Sequence, residues 1–331
     1  MKGYDIIGDV HGCATALEDL LTDLDYRPND WTGAYWHPER RAVFVGDLVD
    51  RGPDQRRVLE LVKLMVDSGS AHIVMGNHEF NAIGYATEDP GSAGTYLRMR
   101  SDKNTAQHRE FLDQLSDTDR AFYIEWFKTL PLWLDLGGVR VVHACWHPLS
   151  MEVVERELGS TRFNSVDQFV RASTKGDPLH DAVEVLLKGP EIDLSKHGQP
   201  PFKEGGGHLR DEARVCWWDD SAASLREIAE IGGNYTTEDG EPYPELPEIE
   251  VAADYRSFVY TDDVPVFYGH YWREGSPKHR LDWTTRTACV DFSVAKPGGM
   301  LVAYRWSGER EIRVEHYGSS AGDAAAQQVP E

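Results

Sequence analysis

The sequence contains few cysteines and no long apolar run. Its four cysteines (Cys13, Cys145, Cys216 and Cys289) are widely separated and form no CxxC pair, which argues against a disulfide framework or a structural zinc site. No segment approaches the ~20 apolar residues that a membrane helix needs. The first residues also lack the apolar stretch of a secretory signal. We therefore expect a cytoplasmic protein with no membrane partner.

Basic residues are scarce as well. The chain has 34 Lys and Arg against 56 Asp and Glu, a net charge of −22. This balance argues against extended nucleic-acid binding, which needs clustered basic residues. It leaves room for a small anionic substrate, because bound cations can reverse the charge locally. With 331 residues and 40% apolar content, the chain is long enough for a large globular core.

Three short polar motifs near the amino terminus each follow an apolar run. They are Gly8-Asp9-Val10-His11-Gly12, Gly46-Asp47-Leu48-Val49-Asp50-Arg51-Gly52 and Gly76-Asn77-His78-Glu79. The preceding runs predict buried parallel strands, and the residues after the first two motifs have helical periodicity. Because open α/β sheets bind ligands at the carboxyl ends of their strands, we expect these side chains to converge. Carboxylate and imidazole donors suit divalent metal ions.

The remaining sequence predicts a mixed order of helices and strands. Residues 105–130 predict helix, 132–142 a hairpin, and 264–268, 287–290 and 300–304 strands. The pattern loosens over 150–260, which we interpret as an insertion or cap within a single domain, 1–318. Loop signals occur there at Gly205–Gly207. We expect the tail, 319–331, to be disordered.

The three motifs resemble those of the metal-dependent phosphoesterases related to calcineurin and the protein Ser/Thr phosphatases. In that family GDxHG, GDxxDRG and GNHE precede two later histidines. The opening, 4–13, is similar to a bacterial branch that includes diadenosine-tetraphosphate hydrolases. The resemblance is specific over 4–80 and patchy at 139–148 and 264–294. It implies an α/β fold in which two mixed β-sheets form a sandwich flanked by helices.

The resemblance also implies a centre of two divalent metal ions, Mn²⁺ above all, with Fe or Zn as alternatives. It assigns the first ion to Asp9, His11 and Asp47. It assigns the second to Asp47 as a bridge, together with Asn77, His143 and His270. The implied reaction is hydrolysis of a phosphate ester, with a hydroxide between the two metals as nucleophile.

Three further residues receive catalytic roles from the resemblance. His78 would protonate the leaving oxygen as general acid, and Asp50 would orient it. Arg51 would bind phosphate oxygens with its fork of donors. A second phosphate-binding arginine has no clear motif, and Arg214 is the candidate, with Arg210 as its rival.

Several of these positions also have structural interpretations. Asp50 and Arg51 can form an ion pair at a helix start, His270 can be a core histidine, and His147 rivals His143 as a ligand. The tryptophans can stack a base or anchor the core; those near the motifs are Trp146, Trp217, Trp218 and Trp272.

The residues around the substrate depart from the family pattern, notably at Cys145-Trp146 and Tyr271-Trp272. We therefore predict a metal-dependent phosphoesterase acting on a small phosphorylated substrate, a nucleotide or a phosphoprotein. The alternatives are a dinucleoside-polyphosphate (diadenosine tetraphosphate) hydrolase and a non-catalytic metal-binding scaffold.

Overall fold

A computed structural model gives the fold of the chain and describes residues 2–204, 209–232 and 234–321. In chain order the strands are β1 (Gly3–Ile7), β2 (Arg27–Pro28), β3 (Tyr35–Trp36), β4 (Arg40–Phe44), β5 (Ala71–Ile73), β6 (Trp133–Asp135), β7 (Arg140–Val142), β8 (Glu191–Asp193), β9 (Phe202–Lys203), β10 (Leu209–Arg210), β11 (Glu212–Val215), β12 (Ala229–Glu230), β13 (Val266–Tyr268), β14 (Thr287–Cys289), β15 (Asp291–Phe292), β16 (Met300–Trp306) and β17 (Tyr317–Ala321). The α-helices are α1 (Ala14–Asp23), α2 (Gln55–Asp67), α3 (Asn77–Ala86), α4 (Asp102–Gln107), α5 (Arg109–Gln114), α6 (Asp117–Phe127), α7 (Pro148–Leu158), α8 (Val166–Ala172), α9 (Pro178–Lys188), α10 (Leu225–Ile228) and α11 (Ala253–Arg256).

Two mixed sheets form the centre of the molecule. The larger has the order β15-β16-β1-β4-β5, with β17 also paired to β16. Its strands β1, β4 and β5 are parallel, and β16 is antiparallel to β1. The smaller sheet has the order β14-β13-β7-β6, in which β7, β13 and β14 are parallel. Strands β6 and β7 form the hairpin that the sequence predicts.

The two sheets pack face to face through one apolar cluster. Its buried members lie in strands of both sheets or next to them, apart from Ile312 in a loop: Tyr4, Ile6, Val43, Val45, Val74, Val139, Val141, Phe267, Ala288, Val290, Tyr304 and Ile312. Across this layer the ring centroids of Phe267 and Tyr304 lie 4.7 Å apart. The predicted α/β sandwich of two mixed sheets is confirmed.

Helices cover the outer face of the larger sheet. In α1 and α2 the apolar residues recur on one face, and Leu17, Leu20, Val58 and Val62 are buried there. The predicted helical segment 105–130 is divided among three short helices. The second, α5, ends at Gln114, and Ser116 then caps α6 by accepting a hydrogen bond from the backbone N–H of Asp119. No helix within the described ranges is long and apolar enough to cross a membrane.

The predicted insertion, 150–260, divides into two parts. Helices α7, α8 and α9 contribute buried residues, such as Val154, Phe169 and Leu186, to the main core. The part from β8 to Val251 has a small core of its own, which includes Phe202 and Leu225, beneath the sheet β12-β11-β8. The glycine loop at Gly205–Gly207 lies outside the described residues.

The prediction of a disordered tail from 319 onward is wrong for its first residues. Residues 319–321 belong to β17, which pairs antiparallel with β16 along its length. The side chain of Ser320 donates a hydrogen bond to the carbonyl of Ala16 at 2.8 Å, which ties this edge strand to α1. Backbone pairing with β16 holds this strand in place. Its sequence therefore needs no alternation of apolar and polar residues, and that alternation is the signal by which a strand is predicted. Residues 322–331 lie outside the described part.

Candidate metal centre

The predicted ligands meet where the parallel strands of both sheets end. Each lies within a few residues of a strand's carboxyl end, in the order β1, β1, β4, β5, β7 and β13: Asp9, His11, Asp47, Asn77, His143 and His270. Both sheets direct their carboxyl ends to the same side, so residues from 9 to 270 reach one site.

The backbone is strained at this site. His11, Asp47 and His270 have φ angles of 45°, 51° and 73°. Asp50 and Arg51 both have φ of 70°. Residues other than glycine rarely adopt this left-handed conformation, and such residues cluster at functional sites. Glu79 holds one of these turns, because its carboxylate accepts hydrogen bonds from the backbone N–H groups of Asp47 and Leu48 at 2.8 Å each.

Asp47 lies at the centre of the cluster and is surrounded by imidazoles. Its Oδ1 lies 3.5 Å from Nε2 of His143, and its Oδ2 lies 3.7 and 3.8 Å from Nε2 of His11 and His78. Burial acts to raise the pKa of Asp47, but the histidines outweigh it and hold that pKa well below the usual value. Burial likewise acts to lower the pKa of His143, and Asp47 raises it to about 10.

Asn77 joins the two late histidines. Its Oδ1 lies 3.0 Å from Nε2 of His143 and 2.8 Å from Nδ1 of His270. The four residues that the resemblance assigns to a second ion therefore form one cluster: Asn77 bonds both histidines, and the ligand atoms of Asp47, His143 and His270 lie within 4.8 Å of one another. His147, the rival of His143, bonds Ser150 at 2.8 Å instead.

Asp9 lies beside this cluster rather than within its tightest group. Its Oδ2 accepts a hydrogen bond from the backbone N–H of His270 at 3.1 Å. Among the described residues, two groups have ligand atoms within 4.8 Å of one another, and Asp9 belongs to neither: His11, Asp47 and His78, and Asp47, His143 and His270. Within the described part of the chain, Oδ1 of Asp9 is buried without a hydrogen-bond partner, as is Nε2 of His11. Burial and the charge of Asp291 raise the pKa of Asp9 well above its usual value.

These observations fit a cation. Orphaned buried polar atoms cost free energy unless something binds them. Gly269 leaves room for this geometry, since a Cβ there would overlap Oδ1 of Asp9. A set of carboxylate, amide and imidazole donors without thiolates suits Mn²⁺, Fe or Zn. The donor set therefore accommodates divalent metal ions.

His78 has a second group of contacts that the sequence predicts only in part. Its Nδ1 lies 2.5 Å from Oδ2 of Asp50, as expected. The other oxygen of Asp50 lies 2.7 Å from Nδ1 of His108, whose ring stacks on Phe111. Sequence analysis missed His108, because it lies 58 residues from Asp50, in a segment without a motif.

Arg51 packs against Trp272 and not against Asp50. Its guanidinium lies 3.7 Å from the centre of the Trp272 ring, and Nη2 lies 3.3 Å from Nε2 of His78. The ion-pair interpretation of Asp50 and Arg51 is therefore not observed. Trp272 is 37% exposed. The other candidate tryptophans, Trp146, Trp217 and Trp218, are buried in the core.

The two candidate arginines of the strand region β10–β11 differ. Arg210 forms ion pairs with Glu191 and Glu204. Arg214 lies 5.1 Å from the ring of Tyr271. Arg214 also lines a cavity together with Tyr271 and Trp272, and burial and then its charge lower the pKa of His270 well below the usual value.

Among curated proteins, the chain is similar to the bis(5'-nucleosyl)-tetraphosphatase PrpE [asymmetrical] of Oceanobacillus iheyensis, with 36% identity over 146 residues, 42% of this chain and 54% of that protein. The protein of the same name from Bacillus velezensis is 33% identical over 147 residues, 43% of this chain and 55% of that protein. The chain thus spans about half the length of the curated relatives it matches.

Among solved structures, a putative diadenosine tetraphosphatase is 20% identical with a TM-score of 0.44, over 96% of this chain and 93% of the other. A protein serine/threonine phosphatase from Saccharomyces cerevisiae is 14% identical with a TM-score of 0.48, over 96% and 79%. The family model for calcineurin-like phosphoesterases matches residues 4–270, which is most of the chain. This chain belongs to the calcineurin-like phosphoesterase family.

Proposed function

We propose that the protein is a metal-dependent hydrolase of phosphate esters. The observation that carries the proposal is the convergence of buried acidic, amide and imidazole donors on Asp47, next to an arginine and a histidine held by a carboxylate. The residues that would hold two divalent ions are Asp9, His11, Asp47, Asn77, His143 and His270. Ions bound there would supply Lewis acidity that neutralises phosphate charge and activates water.

The chain's own groups account for the remaining steps. The guanidinium of Arg51 packs on Trp272 and lies next to Nε2 of His78, and it would hold phosphate oxygens at that place. When water attacks phosphorus, the bond to the leaving oxygen breaks and that oxygen needs a proton. Nε2 of His78 would donate it, while Asp50 holds Nδ1 and so orients the ring. Arg214 would supply a second positive charge.

The second candidate function is hydrolysis of a dinucleoside polyphosphate. The names of the curated relatives favour it, although this chain covers only about half the length of those proteins. The substrate would then be a nucleotide, which we favour over a phosphoprotein on the same ground. Manganese as the metal, a cytoplasmic location and a cap formed by part of 150–260 remain predictions.

The test compares three substrates with the metal-loaded protein: p-nitrophenyl phosphate, its bis ester and diadenosine tetraphosphate. The proposed function is supported if the wild type hydrolyses the monoester and D47N does not. Product analysis of the dinucleotide then separates the two candidates, since only the second predicts its cleavage. Absence of turnover on all three substrates, in protein that binds metal, would contradict both.

A further inference from the structure

A cavity beside His78 extends the site beyond the space of one phosphate. Its volume is about 530 Å³, and its lining includes Arg51, His78, Asn81, Arg98 and Lys188. Pockets that bind whole small ligands range from ~300 to ~1,000 Å³. The cavity therefore has room for a substantial part of a substrate.

Arg98 is a cation in this cavity that no acidic side chain contacts within the described residues. Its Nη1 donates to Oδ1 of Asn81 at 2.9 Å, and Nη2 donates to Oε1 of Gln107 at 3.1 Å. Lys188, by contrast, pairs with Glu184 at 2.6 Å. The guanidinium has five N–H donors, so donors remain for an anion.

The position of Arg98 relative to His78 indicates which part of a substrate it meets. Asn81 follows His78 by three residues on α3, so their side chains lie on one face, about one 5.4 Å turn apart. Asn81 accepts a hydrogen bond from Arg98, and the side chains of Arg98 and His78 line the same cavity. Because His78 would protonate the leaving oxygen, a group bound beyond it belongs to the leaving group.

We infer that Arg98 binds a second phosphate of the substrate, on the leaving-group side, so that the scissile bond is a phosphoanhydride. The substrate class is then a compound with a chain of at least two phosphates. In the reaction water attacks phosphorus, the P–O–P bond breaks, and the departing phosphate oxygen takes its proton from Nε2 of His78. The attacking water releases its proton to the solvent, from which His78 regains one. This inference rests on the proposed function, and of its two candidates it favours hydrolysis of a polyphosphate.

The test uses inhibition of p-nitrophenyl phosphate hydrolysis by orthophosphate and by methylenediphosphonate, which has two linked phosphorus groups and resists hydrolysis. The measured quantity is the ratio of the two inhibition constants, diphosphonate over orthophosphate, at fixed metal concentration. R98Q is compared with R98K and with R100Q. Arg100 is the matched control, since its guanidinium packs on the ring of Tyr96 at 3.3 Å and does not line this cavity.

We expect the ratio to rise about 10- to 100-fold in R98Q, the effect of losing hydrogen bonds from a charged donor. It should rise less in R98K and stay unchanged in R100Q. An unchanged ratio in R98Q with a wild-type melting temperature would overturn the inference; if R98Q does not fold, R98K decides in the same way. If the wild type has no turnover, the proposed function fails, and the ratio of dissociation constants from calorimetry tests Arg98 by the same criterion.

Discussion

Oδ2 of Asp50 lies 2.5 Å from Nδ1 of His78, and this contact fixes which nitrogen of His78 faces the substrate. With Nδ1 turned to the carboxylate, Nε2 is directed toward Arg51 and Asp47. A carboxylate that holds one imidazole nitrogen sets the role of the other, so the proposed proton donor is Nε2.

The loss of rate on replacing His78 should depend on the leaving group. H78N should lower kcat for an alkyl phosphate about 10²- to 10⁴-fold, because an alkoxide needs protonation as it leaves. The loss should be far smaller for 2,4-dinitrophenyl phosphate, whose leaving group needs no proton. H316N is the control, since His316 bonds Glu309 and not the site. Equal losses on the two esters would contradict the general-acid role.

His108 should act as a positioning residue through Asp50. H108L removes the hydrogen bond to Oδ1 of Asp50, and we expect kcat for the alkyl phosphate to fall about 10-fold, as for other groups that orient site residues. H108N places an amide N–H near the same oxygen and should restore most of the rate. The check is kcat of both variants on the alkyl phosphate and on 2,4-dinitrophenyl phosphate. If His108 had only a structural role, H108L would lower kcat equally on the two esters, and H108N would not restore kcat on the alkyl phosphate.

Trp272 should matter for binding more than for turnover. Arg51 and Lys296 approach its ring at 3.7 and 4.5 Å. Cation–π contacts contribute about 0.5–2 kcal/mol, so W272L should raise KM for p-nitrophenyl phosphate about 3- to 10-fold and change kcat less. Trp31 is 95% exposed, and W31L serves as the matched control. A KM unchanged from wild type would show that the ring does not hold Arg51.

Asp50 should make stability depend on pH in acid. Burial acts to raise its pKa, but hydrogen bonds from His108 and His78 hold that pKa below the usual value of 3.8. A carboxyl with a depressed pKa stabilises the fold above its unfolded pKa, and this contribution is lost as the pH falls below it. The difference in free energy of unfolding between wild type and D50N should therefore shrink as the pH falls below about 4.

Denaturant titrations with a chelator present measure this difference at each pH. D30N, at an exposed loop position, controls for a general change of charge. A difference that grows toward low pH would contradict the assigned direction of the shift.

The sequence predicted the features that depend on local order and missed those that depend on distant contacts. Asp9, Asp47 and Asn77 follow apolar strands directly, and parallel strands of one sheet bring such positions together. His108 and Arg98 lie in segments without a motif, and their roles come from contacts with Asp50 and Asn81 that only the folded chain creates. The edge strand β17 was missed because backbone pairing, not an apolar pattern, holds it.

The central claim is that hydrolysis depends on divalent ions held around Asp47. The most direct measurement strips the wild type and D47N of metal, adds back Mn²⁺, Zn²⁺ or Fe²⁺, and follows bound metal by elemental analysis and hydrolysis of p-nitrophenyl phosphate. We expect that stripping abolishes turnover, that one or more of these metals restores it as two ions bind per chain, and that D47N stays inactive. Turnover that survives complete metal removal, or full activity in D47N, would contradict it.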